Sequence, residues 1–161
     1  MDFSMITKEY IYTHHFESDG LFSQKAVEVE NISYRLHKGD VLPTRLSESP
    51  NKLRQEFAKI FFDRFNGSYD KLQAKTGISE NAMRKYLRKE KGRNITRMAV
   101  AKFSVGIPLV IEEADRLFRL EGHSLEPESK LLDAIVVDAL QCGDDIGAFY
   151  ETCEELGIKV D

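Results

Sequence analysis

The chain has 161 residues, 42% of them apolar and 31% charged, a balance that suits one globular domain or a small domain with an appendage. No apolar run approaches the roughly 18 residues of a membrane span, and Met1-Asp2-Phe3-Ser4-Met5 lacks the basic start and apolar core of a signal peptide. Two cysteines, Cys142 and Cys153, make no disulfide framework, so the expectation is a cytoplasmic protein with reduced thiols and no membrane partner.

Charge is distributed unevenly behind the net value of −4. Ser68 to Phe103 holds 10 Lys+Arg against 3 Asp+Glu, a net of +7, whereas Met1 to Gly67 is −1 and Ser104 to Asp161 is −10. One contiguous basic segment in an acidic chain is the footprint expected of a phosphate-binding surface.

Along residues 1–49, Tyr10, Tyr12, His14 and Phe16 alternate with Ile11, Thr13 and His15, a period of two in β-favouring residues. Ser18-Asp19-Gly20 and Lys38-Gly39-Asp40 are turn signals. Val27 and Val29, then Ile32, Tyr34 and Leu36, resume alternation on a shifted phase, as a bulge or two short strands would give. Val41-Leu42-Pro43 starts a last edge segment. The expectation is a small β meander that lies on a helical body or on a second copy of itself. A short helix through Ile6 to Tyr12 is the alternative for its first part. Tyr10, Tyr12 and Phe16 are the candidate dimer or partner surface, against the plainer reading that they cap the helical core.

Leu46 to Pro50 reads as a linker, with Ser49 as cap and Pro50 at the first helical position. Asn51 to Phe65 follows as an amphipathic helix whose stripe is Leu53, Phe57, Ile60, Phe61 and Phe65, with Phe62 at its margin. Ser68 then caps a helix over Tyr69 to Lys75 with Leu72 inward. Gly77 suits the left-handed position that ends it, Ile78 is an apolar plug, and Ser79 caps the next helix. That helix, over 79–89, buries Met83, Tyr86 and Leu87 and turns Asn81, Arg84, Lys85 and Arg88 outward.

A basic turn, Lys89 to Asn94, leads into a helix over Thr96 to Val105 with Arg97 and Lys102 outside. Gly106-Ile107-Pro108 stops it, and Pro108 opens another through Leu120. Two more helices complete the chain: Pro127 to about Gln141, then one capped by Asp144 with Ile146, Phe149, Tyr150, Cys153 and Leu156 inside.

The string Ser68-Tyr69-Asp70-Lys71-Leu72-Gln73-Ala74-Lys75-Thr76-Gly77-Ile78-Ser79 resembles the helix-turn-helix of phage-repressor-like regulators, the XRE or lambda-repressor-like group. The likeness continues through Ile107-Pro108-Leu109 and Glu113 to Leu125, and covers roughly residues 51–157. It implies a five-helix DNA-binding domain whose second motif helix enters the major groove of double-stranded DNA, working as a homodimer on a two-fold operator. Carried over by position, Ser79, Glu80, Asn81 and Arg84 stand nearest base edges. Ser68, Tyr69, Lys85, Arg88, Lys91, Arg93 and Arg97 are then the phosphate-binding candidates.

The fold expected is mainly α: a lambda-repressor-like helix-turn-helix bundle (50–125) with extra C-terminal helices (126–161) and a small N-terminal β-rich, α+β appendage (1–49). The function expected is a sequence-specific transcriptional regulator, a repressor. A second hypothesis keeps the scaffold for protein–protein binding, as an antitoxin, an antirepressor or a phage inhibitor of host defence. Nothing points to an enzyme, cofactor or metal. His14 and His15 are adjacent, His37 and His123 lack partners at a metal-site spacing, and the paired acids near the C-terminus fall beside apolar stripes. Cys142 and Cys153 read as small buried apolar residues.

Overall fold

The computed structural model describes residues 3–17, 52–88 and 94–160. Among these the protein is mainly helical and has no strand. Thr7 opens α1 (Lys8–Tyr12) by accepting from the Tyr10 amide at 3.1 Å, and Thr13–Glu17 continue as a turn of π-helix. This corrects the β reading of Tyr10 to Phe16; the short-helix alternative is the one realised. Period-two alternation lost to a threonine cap and to packing: Ile6 and Ile11 are buried, and α1 lies on α7. The expected turns and strands from Ser18 to Pro43, the linker, and the Ser49–Pro50 start of the next helix lie outside the described residues.

Helix α2 spans 52–65 and buries Leu53, Phe57, Phe61 and Phe65, with Ile60 partly buried. Phe62 does not extend the stripe but stands 60% exposed. Helices α3 (Tyr69–Thr76) and α4 (Glu80–Leu87) follow, then α5 (Arg97–Gly106), α6 (Ile111–Glu121), α7 (Leu131–Cys142) and α8 (Ile146–Glu155). The core is built around α5. From Ala99 to Gly106 every residue except Lys102 is buried, and α5 packs against α3, α6, α7 and α8. Phe103 also stacks on Phe57 of α2, ring centres 4.0 Å apart. A helix apolar all round belongs inside, which is where α5 sits.

Helix α7 begins four residues later than Pro127. The Pro127–Ser129 turn is held because the Ser129 and Lys130 amides both donate to the Glu126 carbonyl. The carbonyls of Pro127 and Glu128 face the N-terminal segment instead of a following helical turn. His15 Nε2 donates to the first and His14 Nε2 to the second, each at 2.9 Å, and Gln141 donates to the Phe3 carbonyl. At the other end Asp145, rather than Asp144, caps α8 by accepting from the Ala148 amide at 2.8 Å.

These contacts make the N-terminal segment a pH-dependent strap. Burial, outweighing the Pro127 hydrogen bond, lowers the pKa of His15, with His14 adding a smaller effect in the same direction. A depressed histidine pKa means the folded state binds the proton less well than the unfolded one. The stabilisation is therefore complete above about pH 6.5, the ordinary histidine value, and is lost as pH falls through the lower folded-state value. Hydrogen exchange, corrected for intrinsic rates, should show amides 10–16 losing protection between pH 7.5 and 5 while those of α7 hold. Equal loss in both would contradict a local strap.

Candidate nucleic-acid interface

The α3–turn–α4 segment is assembled by short-range polar contacts that the residue types dictate. Ser68 Oγ accepts from the Lys71 amide at 3.3 Å and Ser79 Oγ from the Ala82 amide at 3.1 Å, so each helix has one of its free N–H groups satisfied. Gly77 lies between them at φ +74°, and its amide donates to the Gln73 carbonyl. Thr76, fully buried, fastens the turn from inside. Its hydroxyl donates to the Leu72 carbonyl at 2.7 Å and accepts from the Ile78 amide at 3.1 Å. Ile78, Leu72, Met83 and Tyr86 are buried beneath the two helices, and Leu87 is partly buried.

A contact from the far end of the chain completes the turn. Tyr150 of α8 donates its hydroxyl to the Thr76 carbonyl at 3.1 Å, and that hydroxyl occupies the space a side chain at Gly77 would need. Gly77 is thus required twice, for its backbone and for its neighbour. Burial raises the Tyr150 pKa, with a smaller push from Cys153, which keeps the phenol in the donor form.

Ser79, Glu80, Asn81, Arg84, Lys85 and Arg88 are all exposed. Arg88 follows the last turn of α4 in extended backbone, so that helix ends at Leu87. Ser68 and Tyr69 are partly buried at the start of α3, whose own outer face adds Lys71 and Lys75. Arg84 is held on two sides. Its Nε lies 3.3 Å from Glu80 Oε2, and its guanidinium carbon stands 4.7 Å from the centre of the Tyr69 ring. Lys91 and Arg93 lie outside the described residues.

Arg97 departs from the expectation. Its side chain is only 16% exposed and is committed internally. Nε and Nη2 donate to the two oxygens of Asp133 at 3.0 and 2.7 Å, Nη1 donates to Glu121 at 2.9 Å, and the His123 and Ser124 carbonyls accept at 3.1 and 3.3 Å. The Phe118 ring packs beneath it, 4.6 Å from the guanidinium carbon. Burial disfavours the charge, but Asp133 and Glu121 outweigh it and raise the pKa. Arg97 is thus committed to carboxylates of its own chain. Lys102, also expected outside, is partly buried 5.8 Å from the Tyr150 ring.

Tyr10, Tyr12 and Phe16 divide. Tyr10 is partly buried and stacks on His14, whereas Tyr12 and Phe16 form a half-exposed pair with ring centres 6.1 Å apart. Of the two thiols expected to be buried, one is. Cys153 is buried, with its pKa pushed up to about 11, but Cys142 is exposed and donates to Asp138 at 3.6 Å.

Comparison with protein-family models, with curated proteins and with solved structures gave no match. The functional reading therefore rests on the residues and their geometry. Among the described residues no helix is long and apolar enough to cross a membrane. Thr76 and Tyr150 fasten the turn from positions that carry no cap or turn signal in the sequence.

Proposed function

We propose that this protein is a sequence-specific DNA-binding regulator that lays α4 in the major groove, acting as a dimeric transcriptional repressor in the cytoplasm. The observation that carries the reading is the face of α4. Asn81, Arg84, Lys85 and Arg88 are exposed together, and the one acid within α4, Glu80, is paired with Arg84. With Lys71 and Lys75 this concentrates positive charge on the motif of an otherwise acidic chain. Ser68 and Tyr69, at the start of α3, are placed to meet the sugar-phosphate strand while α4 faces base edges.

The test is fluorescence anisotropy on mixed-sequence duplexes, titrated with salt. Affinity should fall with a log–log slope of several units, about 0.9 per phosphate contact. Lys85→Gln with Arg88→Gln should weaken binding on every sequence and reduce the slope by roughly 2. Their side chains are exposed, so the thermal transition should hold within about 2 °C. Absence of binding at about 50 mM salt, where phosphate contacts are strongest, would overturn the proposal.

A second reading, a helix-turn-helix scaffold that docks on another protein, draws on the Tyr12–Phe16 pair. These rings are 44% and 45% exposed, and paired aromatics suit an interface. Tyr12→Ser with Phe16→Ser should leave a DNA-binding monomer if the pair mediates dimerisation. A double variant that loses a stoichiometric protein partner instead, in a protein that binds no DNA, would favour this reading.

A further inference from the structure

We propose that Glu80 and Tyr69 hold Arg84 as a pre-aimed fork for guanine, so that Glu80 is a positioning residue and reads no base itself. The inference rests on the DNA-binding reading above and adds one base of the site it recognises.

Glu80 is the first residue of α4, where a carboxylate suits the positive end of the helix. In a surface meant for phosphates its charge is otherwise out of place. Its partner explains it: Arg84 lies four residues on, one turn along the same face, with Nε 3.3 Å from Oε2. Both side chains are more than half exposed, so the pair contributes little to folding. Its consequence is geometric. The carboxylate takes the Nε side of the guanidinium, which leaves Nη1 and Nη2 for other partners, and one N–H from each has the spacing that a guanine O6/N7 edge accepts end-on.

Tyr69 supplies the second constraint. The guanidinium lies over its ring, a cation–π arrangement that fixes the plane as the ion pair fixes the rotation. The ring does not itself drift, because it packs on Phe61 with centres 5.0 Å apart and Phe61 is buried in the core. A chain of contacts thus runs from the core through Tyr69 to Arg84. An arginine already ordered loses less freedom on meeting its base than one waving in solvent. The alternative role for Glu80, accepting from a cytosine amino group, needs the same carboxylate to leave Arg84.

The experiment is selection from a randomised duplex library, followed by competition binding against each single-base change. Wild type should prefer guanine at one position by roughly 10- to 100-fold. Arg84→Ala should abolish that preference. Glu80→Ala and Tyr69→Leu should each reduce it to within about threefold; Glu80→Ala should leave affinity for unselected DNA unchanged or higher, because it removes an acid and no phosphate contact, whereas Tyr69→Leu should lower that affinity by the one strand contact of its hydroxyl, as Tyr69→Phe does. Tyr69→Phe keeps the ring and should keep the preference. Retention of the full guanine preference by Glu80→Ala overturns the inference, as does a loss of cytosine preference in its place. In either case DNA binding still stands. A wild-type protein that binds all duplexes alike also overturns the inference alone, whereas no salt-dependent binding at all overturns both it and the proposed function.

Discussion

An Arg97→Met variant should melt about 6–12 °C below wild type, the equivalent of roughly 3 kcal/mol or more of lost stability. The reason is what the substitution leaves behind. Asp133 has no exposed surface, and the guanidinium supplies two of its hydrogen bonds; the Glu126 amide, at 2.8 Å, supplies another. Without Arg97 a buried carboxylate is left with one amide donor, and the His123 carbonyl loses its donor as well. Asp133→Asn should cost less, since it removes a charge and keeps the shape. Arg97→Met with Asp133→Leu should recover much of the loss, because neither charge is then stranded. Urea unfolding followed by circular dichroism measures all three. The same variants separate the two roles considered for this arginine. A phosphate contact predicts normal stability with a shallower salt slope in DNA binding; an internal ion pair predicts the opposite. An Arg97→Met protein within about 0.5 kcal/mol of wild type would remove the internal role.

What made this arginine illegible in the sequence also made the motif legible. Ser68, Gly77 and Ser79 act on backbone groups within three or four residues, so type and spacing are enough to assign them. Arg97 meets Asp133 across 36 residues, and a count of charges assigns it to the basic surface. The available signal lay on the other partner. Leu131 to Leu140 is apolar but for Asp133 and Asp138, and an acid inside so apolar a helix requires a cation or proton from elsewhere. Asp138 behaves accordingly, with its pKa raised by burial.

The N-terminal segment shows the opposite failure. Tyr10 to Phe16 alternate as a strand should, yet two-residue alternation over so few positions is a weak preference. It is set against the Thr7 cap, the burial of Ile6 and Ile11, and two histidines on adjacent carbonyls. Partners of that kind, 112 and 114 residues away, leave no mark on local pattern. Periodicity places Tyr150 on the core face of its helix; that its hydroxyl fastens the Thr76–Gly77 turn depends on the third dimension.

Gly106→Ala should destabilise the protein by roughly 3 kcal/mol, although the residue reads only as the end of a helix. Gly106 is the last residue of α5, and its backbone is not in the left-handed region. Alanine would therefore gain about 1 kcal/mol from helix propensity if nothing else mattered. What opposes it is the approach of α3. An added Cβ would press against the Lys75 carbonyl oxygen and lie 2.7 Å from Thr76 Cα and from Thr76 Cγ2. Two of these atoms are backbone and cannot rotate away, so the helices must separate, at a cost beyond the usual 1–3 kcal/mol of an overpacked side chain. Gly147→Ala is the control. It lies within α8, and its nearest neighbour would be Asp145 Oδ1 at 3.4 Å, so there the propensity gain should survive as a slight rise in stability. The effect on function should exceed the effect on folding. Lys75 and Thr76 lead directly into the turn that aims α4, so displacing them re-aims the face carrying Asn81, Arg84 and Lys85. At a temperature where both proteins are fully folded, Gly106→Ala should bind the selected operator at least tenfold more weakly while changing little on unselected DNA, whose phosphates tolerate a small rotation. Unchanged binding to both would mean that the contact between α3 and α5 sets stability alone and leaves the aim of α4 untouched.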